Sequence, residues 1–80
     1  MMMKEEEIKE HLISADPEFR RLVEEHKQYE GQLNALHGRH HMSEQDHLEE
    51  IRLKKKKLQL KDQMNSMIQK FRQELSHQHT

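Results

Sequence analysis

The sequence predicts an all-α protein that folds back on itself as a long antiparallel helical hairpin, and three observations support this prediction. The chain is rich in Glu, Lys, Leu, Gln and Arg, which are good helix formers. Two glycines and one proline are too few for the many turns of an all-β fold. Apolar residues recur three and four positions apart along most of the chain. Because 80 residues form one domain at most, we predict a single hairpin domain over residues 1–80.

The first two helical segments are predicted from local signals. A run of three glutamates at 5–7 would place negative charge in the first turn of a helix at about 3–14, where the helix dipole favours anions. The residue before a proline avoids the helical region, so Asp16 should leave this helix. Asp16 then fits the N-cap, and Pro17 the first position, of a second helix at about 17–37.

The turn and the third helix follow. Gly38 is predicted to end the second helix in the left-handed conformation, and a turn is expected at about 38–43. Ser43 is a good N-cap, and Asp46 three residues later resembles the partner residue of a capping box. The third helix is predicted at about 44–75.

The apolar residues of the first two segments form one heptad pattern that continues across the proline. The pattern predicts that these segments lie nearly collinear, with a kink at Asp16–Pro17, and that both pack against the third helix. Its members are Ile8, Leu12, Ala15, Phe19, Leu22, His26, Tyr29, Leu33 and Leu36.

The third helix carries two apolar stripes on nearly opposite sides, at 100° per residue. One is predicted to pack against the other arm, which leaves the second, or its counterpart, exposed on a lone hairpin. The first consists of Leu53, Leu60, Met64, Met67, Phe71 and Leu75, and the second of Leu48, Ile51 and Leu58.

Charge favours the same arrangement of the two arms. Residues 1–38 contain nine acidic and five basic residues, whereas residues 39–80 contain six acidic and nine basic ones. An acidic arm would therefore lie against a basic arm. A fold-back at residues 39–42 predicts that Leu36 lies near Leu48, Leu22 near Leu60, and Leu12 near Phe71.

Two stretches of the chain resemble one known family. "DPEFRRLVEEH" from Asp16 to His26 and "RLKKKKLQLKDQM" from Arg52 to Met64 are similar to the YdcH-like family of small bacterial proteins, domain of unknown function 465. The similarity covers about residues 8–71. It implies a helical hairpin and implies no activity. The histidine-rich segment from His37 to His47 lies outside the shared pattern.

Several classes of function are disfavoured. The absence of Cys excludes disulfides, thiolate zinc sites and cysteine nucleophiles. No catalytic constellation appears, so we predict that the protein is not an enzyme and uses no cofactor. No apolar stretch approaches the ~20 residues of a membrane span. The acidic run after the first residues also leaves no apolar region for a secretory signal, so we expect a cytoplasmic location without a membrane partner.

The run of lysines from Lys54 to Lys57 could bind nucleic acid, but four successive helical residues spread around the whole helix. We therefore favour a solvated, ion-paired face. Lys57 also lies in the core-facing stripe, at about the level of His26. Either both side chains extend to the edge of the core, or Lys57 reaches Glu25, Glu30 or a partner chain in a polar layer that fixes the register of the helices.

Histidines cluster around the turn, and imidazole is a ligand for zinc, copper and nickel. Because Gly38 breaks the helical spacing and no carboxylate completes a recognisable ligand pattern, a polar turn is the favoured interpretation. The candidate ligands would be His37, His40, His41 and His47.

The function predicted from the sequence is a protein–protein interaction or structural module that acts through coiled-coil-like helix packing. A chain of this size rarely stabilises itself with one thin core, so we predict a dimer or tetramer that forms a helical bundle. An unidentified protein partner is also possible within this class of function. The alternative of another class is a nucleic-acid-associated protein that uses the basic third helix, and a third is metal binding at the turn.

Overall fold

Three α-helices form the described part of the chain, residues 3–78 of the computed structural model. They are α1 (Glu5–Ala15), α2 (Pro17–His37) and α3 (Glu44–Gln78). Within this range there is no strand, and the predicted all-α helical hairpin is confirmed. α1 begins later than predicted and α3 continues further, through Gln78. None of the helices between residues 3 and 78 combines the length and the apolar character needed to cross a membrane.

The junction between α1 and α2 has the predicted geometry. Asp16 is extended, with φ −122° and ψ 108°, and the next helix begins at Pro17. The Asp16 carboxylate accepts hydrogen bonds from the backbone N–H groups of Glu18, at 2.9 Å, and Phe19, at 3.4 Å. These N–H groups have no acceptor within the helix, so Asp16 stabilises the start of α2.

Side chains also satisfy backbone groups at both ends of α1. At its start, the Glu7 carboxylate accepts a hydrogen bond from the Lys4 N–H at 3.3 Å. At its end, the Arg20 guanidinium donates to the carbonyl oxygens of Ile13, at 2.9 Å, and Ser14, at 3.3 Å. α2 thus caps the carbonyl end of α1 and connects the two helices across the break at Asp16.

The predicted capping box begins α3. Ser43 Oγ accepts a hydrogen bond from the Asp46 N–H, and the Asp46 carboxylate accepts one from the Ser43 N–H, both at 3.1 Å. The predicted left-handed conformation of Gly38 is wrong, because Gly38 has φ −80° and ψ −7°. Its N–H donates to Asn34 and the Arg39 N–H donates to Leu36, so the helical turn continues past Gly38 and the chain reverses later.

The two arms lie side by side over the length of the molecule. The described chain measures 56 × 20 × 18 Å, and α3 with its 35 residues spans about 52 Å at ~1.5 Å per residue. α1 and α2 together therefore match α3, with α2 beside its first half and α1 beside its second half.

The core consists of two clusters along this seam. Near the turn, Leu33 and Leu36 of α2 pack with Leu53 of α3, and Tyr29 and Met42 partly cover them. Leu53 therefore takes the place beside Leu36 that was predicted for Leu48, which is 67% exposed. The predicted pairing of Leu36 with Leu48 is wrong because positions 48 and 53 face in different directions on the helix.

The second cluster joins all three helices. Ile8 and Leu12 of α1, Phe19 of α2 and Ile68 of α3 are buried together. Ile68 was not among the predicted core residues, although it lies four residues after Met64 and three before Phe71. Residues that are buried between or partly buried around the clusters are Leu22, Leu60, Met3, Val23, Met64, Met67 and Phe71.

Candidate interaction surface

The outer side of α3 carries three exposed apolar side chains. Leu48 is 67% exposed, Leu58 is 59% exposed and Ile51 is 52% exposed, whereas Leu53 on the core side is 1% exposed. We call Leu48, Ile51 and Leu58 the outer stripe. Large apolar side chains clustered on one exposed helix face are typical of a surface that packs against another chain.

Two charged residues extend the outer stripe with heptad spacing. Glu44 lies four residues before Leu48, and Lys55 lies four residues after Ile51, so both share its face. Both side chains are exposed. In the described part of the chain, neither takes part in an ion pair.

Other charges beside the outer stripe are paired within α3. Arg52 binds the carboxylate of Glu49, and Lys54 Nζ lies 3.8 Å from Glu50 Oε2. The hydrogen bonds from Arg52 lower the pKa of the Glu49 carboxyl, and those same bonds raise the pKa of Arg52. Part of the lysine-rich segment is thus an ion-paired helix surface.

A polar cluster connects α2 and α3 at the level where the sequence placed His26 and Lys57. Lys57 Nζ lies 3.9 Å from Glu30 Oε1, and His26 Nδ1 lies 4.0 Å from Glu30 Oε2. Burial lowers the pKa of His26, and the nearby Lys57 lowers it further, whereas Glu30 opposes the shift. Glu30 is therefore the residue that Lys57 reaches, and Lys57 itself is 34% exposed at the edge of the core.

One flank of the hairpin has two grooves between its helices. The larger, about 650 Å³, lies between α1, α2 and α3 and contains the polar cluster. The smaller, about 310 Å³, lies nearer the turn and is lined by Lys54, Lys57 and Lys61 beside Leu58. This line of lysines was not predicted from the sequence, although the spacing of three and four residues places the three side chains on one helix flank.

The histidine-rich turn is closed by two side-chain contacts between its two sides. Glu50 of α3 contacts the imidazole of His37, and this hydrogen bond lowers the pKa of Glu50. Asp46 accepts a hydrogen bond from Arg39 at 2.8 Å, and its pKa is lowered first by the bond from the Ser43 N–H and then by Arg39. These contacts hold the turn against the start of α3.

The candidate metal ligands are not brought together. His37 is occupied with Glu50, while His40, His41 and His47 are exposed. From Met3 to Gln78, no group of three or more His, Cys, Asp or Glu side chains is placed to hold a metal ion. What the structure provides at this position is therefore a polar turn with an Arg39–Asp46 ion pair and a His37–Glu50 hydrogen bond.

Small residues occupy the outer side of α2. A Cβ atom at Gly31 would have no neighbour within 4 Å, and Ala35 is exposed. This surface is open to solvent, and it carries no large apolar side chain comparable with those of the outer stripe.

Comparison with known proteins adds one relationship. Searches of curated proteins and of solved structures each found no match. The model of the family described as "Protein of unknown function (DUF465)" matches residues 19–68, which extend from the first turn of α2 through the turn and into the second half of α3. This match covers more than half of the sequence and includes the core cluster near the turn, part of the second core cluster, the polar cluster and the outer stripe, so the chain belongs to the DUF465 family.

Proposed function

We propose that this protein is an interaction or structural module that acts through coiled-coil-like helix packing, and that it associates with a second copy through the outer stripe. The single observation that carries the proposal is the exposure of Leu48, Ile51 and Leu58 together on one face of a long helix. Burying apolar surface stabilises an assembly by roughly 25 cal/mol per Å². A cytoplasmic location and the absence of enzymatic activity belong to the same proposal.

The thinness of the hairpin supports self-association. Its core is one seam between two arms, and the molecule is only 20 Å across its second axis. Chains below about 80 residues usually need a further source of stability, and the sequence has no cysteine for a disulfide. A second hairpin would supply it by covering the outer stripe.

Sedimentation velocity over a range from micromolar to millimolar concentration tests the proposal. The wild-type protein should show a concentration-dependent dimer, and Ile51→Glu should shift it to the monomer while the helical circular dichroism is retained. Ala35→Glu is the matched control, since it places the same charge on the exposed outer side of α2. A wild-type monomer at all concentrations would contradict the proposal, as would loss of the dimer in Ala35→Glu but not in Ile51→Glu.

A specific observation supports nucleic-acid binding as a second candidate. Lys54, Lys57 and Lys61 line one groove, although Glu30 and Glu50 lie close to two of these ammonium groups. Gel retardation of duplex DNA and RNA at increasing salt tests it, because phosphate contacts weaken steeply as salt rises. We expect no salt-dependent complex. A complex that Lys61→Gln weakens would favour this second function.

A further inference from the structure

The outer stripe and the charges that extend it have the same spacing in both directions along α3. Successive residues on this face are Glu44, Leu48, Ile51 and Lys55, and the intervals between them are four, three and four residues. An acidic residue stands at one end and a basic residue at the other. All four side chains are exposed, and neither charge is paired within the described chain.

We propose that α3 packs antiparallel against α3 of a second copy, around a two-fold axis that passes between Glu49 and Glu50. This arrangement rests on the proposed self-association and names the surface that carries it. In an antiparallel coiled coil with this centre, Leu48 of each copy packs against Ile51 of the other. Glu44 of each copy then lies beside Lys55 of the other, so one contact is repeated twice by symmetry.

Charge distinguishes this register from its neighbours. A shift by one heptad would set Leu48 against Leu58 of the second copy, but it would also set Glu44 opposite Asp62 and Ile51 opposite Lys55. A parallel pair would bring Glu44 near Glu44 and Lys55 near Lys55. Like charges opposite each other disfavour both arrangements, whereas the proposed register brings opposite charges together.

The hairpin can form this contact without rearrangement. The outer stripe lies nearly opposite Leu53, Leu60 and the rest of the core face, so the two α3 helices would lie in the middle with one α2 on each outer side. Leu58, beyond the four-residue pattern, would then lie against the turn of the second copy near its His41.

Reversing the two charges separately and together tests the register. The dissociation constant of the dimer is measured by sedimentation at low salt for Glu44→Lys, Lys55→Glu and the double variant. Each single reversal should weaken the dimer about ten-fold, because two symmetric attractions become repulsions. The double variant should return to within about three-fold of the wild type, because the opposite charges meet again with their positions exchanged.

The shifted register and the parallel pair predict different changes in the affinity of the dimer. If Glu44 faced Asp62 of the second copy, Glu44→Lys would tighten the dimer. In a parallel pair, Glu44→Lys would leave one like-charge contact in place of another and change the affinity little. Either result would overturn the proposed register.

Gln45→Lys is the control for charge at the start of α3. It adds a positive charge in the same helical turn, where a cation is unfavourable next to the helix dipole, but it lies off the outer stripe. Gln45→Lys should leave the dimer within about two-fold of the wild type. Suppose that Ile51→Glu abolishes the dimer, but that the double variant of Glu44→Lys and Lys55→Glu does not regain the wild-type affinity. The proposed register is then wrong, whereas the proposal of self-association through the outer stripe stands. A wild-type protein that never dimerises would overturn both the register and the proposed self-association.

Discussion

The same substitution, Leu→Ala, should have different effects on stability at Leu53 and at Leu48, which lie on opposite faces of α3. Both residues lie in one helix, so the change in helix propensity is similar in the two variants. Leu53 is 1% exposed within the cluster near the turn, whereas Leu48 is 67% exposed. The structure therefore predicts a large loss of stability for Leu53→Ala and a small one for Leu48→Ala.

The expected magnitudes follow from burial. Leu53→Ala removes a fully packed side chain and should lower the free energy of unfolding by about 2–5 kcal/mol. Leu48 retains contact over only a third of its surface, which corresponds to about 0.5–1 kcal/mol of transfer free energy. Small domains have total unfolding free energies of roughly 5 kcal/mol upwards, so Leu53→Ala would remove much of the stability of the hairpin.

Urea unfolding followed by far-ultraviolet circular dichroism at low micromolar concentration measures both values. Equal losses, or a larger loss in Leu48→Ala, would refute the assignment of the core and outer faces. The comparison repeated at millimolar concentration adds a second check. Because association stabilises the folded state by mass action, the cost of Leu48→Ala should grow with protein concentration while that of Leu53→Ala should not show this additional increase.

Four further changes test the helix caps and the polar cluster. Ser43→Ala should lower the free energy of unfolding by about 0.5–2 kcal/mol because an N-cap is lost, whereas Ser66→Ala within α3 should change it little; chemical denaturation measures both. Asp16→Ala should cost a similar amount by the same assay, and no loss would contradict its role at the start of α2. The pKa of His26 is lowered in the folded state, so its contribution to stability is present above pH ~6.5 and is lost as the pH falls through the folded pKa. His26→Gln should therefore reduce the decline in stability below neutral pH, and an unchanged pH profile would contradict it. Combined replacement of His26 and Lys57 by Leu should stabilise the hairpin and permit more than one oligomeric state, which sedimentation would detect as mixed species.

Local signals were sufficient to predict much of the fold. The Asp16–Pro17 break and the Ser43–Asp46 capping box each depend on residues within three positions of one another, so their geometry could be predicted from the sequence. Gly38 is different, because the end of α2 depends on how the turn closes against α3. The helical turn continues at Gly38, and Arg39 beyond it binds Asp46 of α3. The chain can therefore reverse direction without a residue in the left-handed conformation.

Contacts between the arms were harder to predict, because they depend on the rotation of each helix about its axis. Spacing alone could have identified Ile68 as part of the core face. The contact of His37 with Glu50 could not be found in this way, since it joins residues thirteen positions apart across the turn. The contact between Lys57 and Glu30 could not be found from spacing either, because the sequence left three possible partners open for Lys57.

The separation of the two α3 faces connects folding with association. Because Leu53 and Ile68 face the other arm while Leu48 and Ile51 face outward, a second copy can bind without competing for the core. Binding that occurs only in the folded state then adds to the stability of the hairpin in proportion to the logarithm of the protein concentration. A thin hairpin of this kind would be least stable when dilute. Variants of the outer stripe should lose this concentration dependence while their dilute stability stays close to that of the wild type, which identifies the outer stripe as an association surface and not as a missing part of the core.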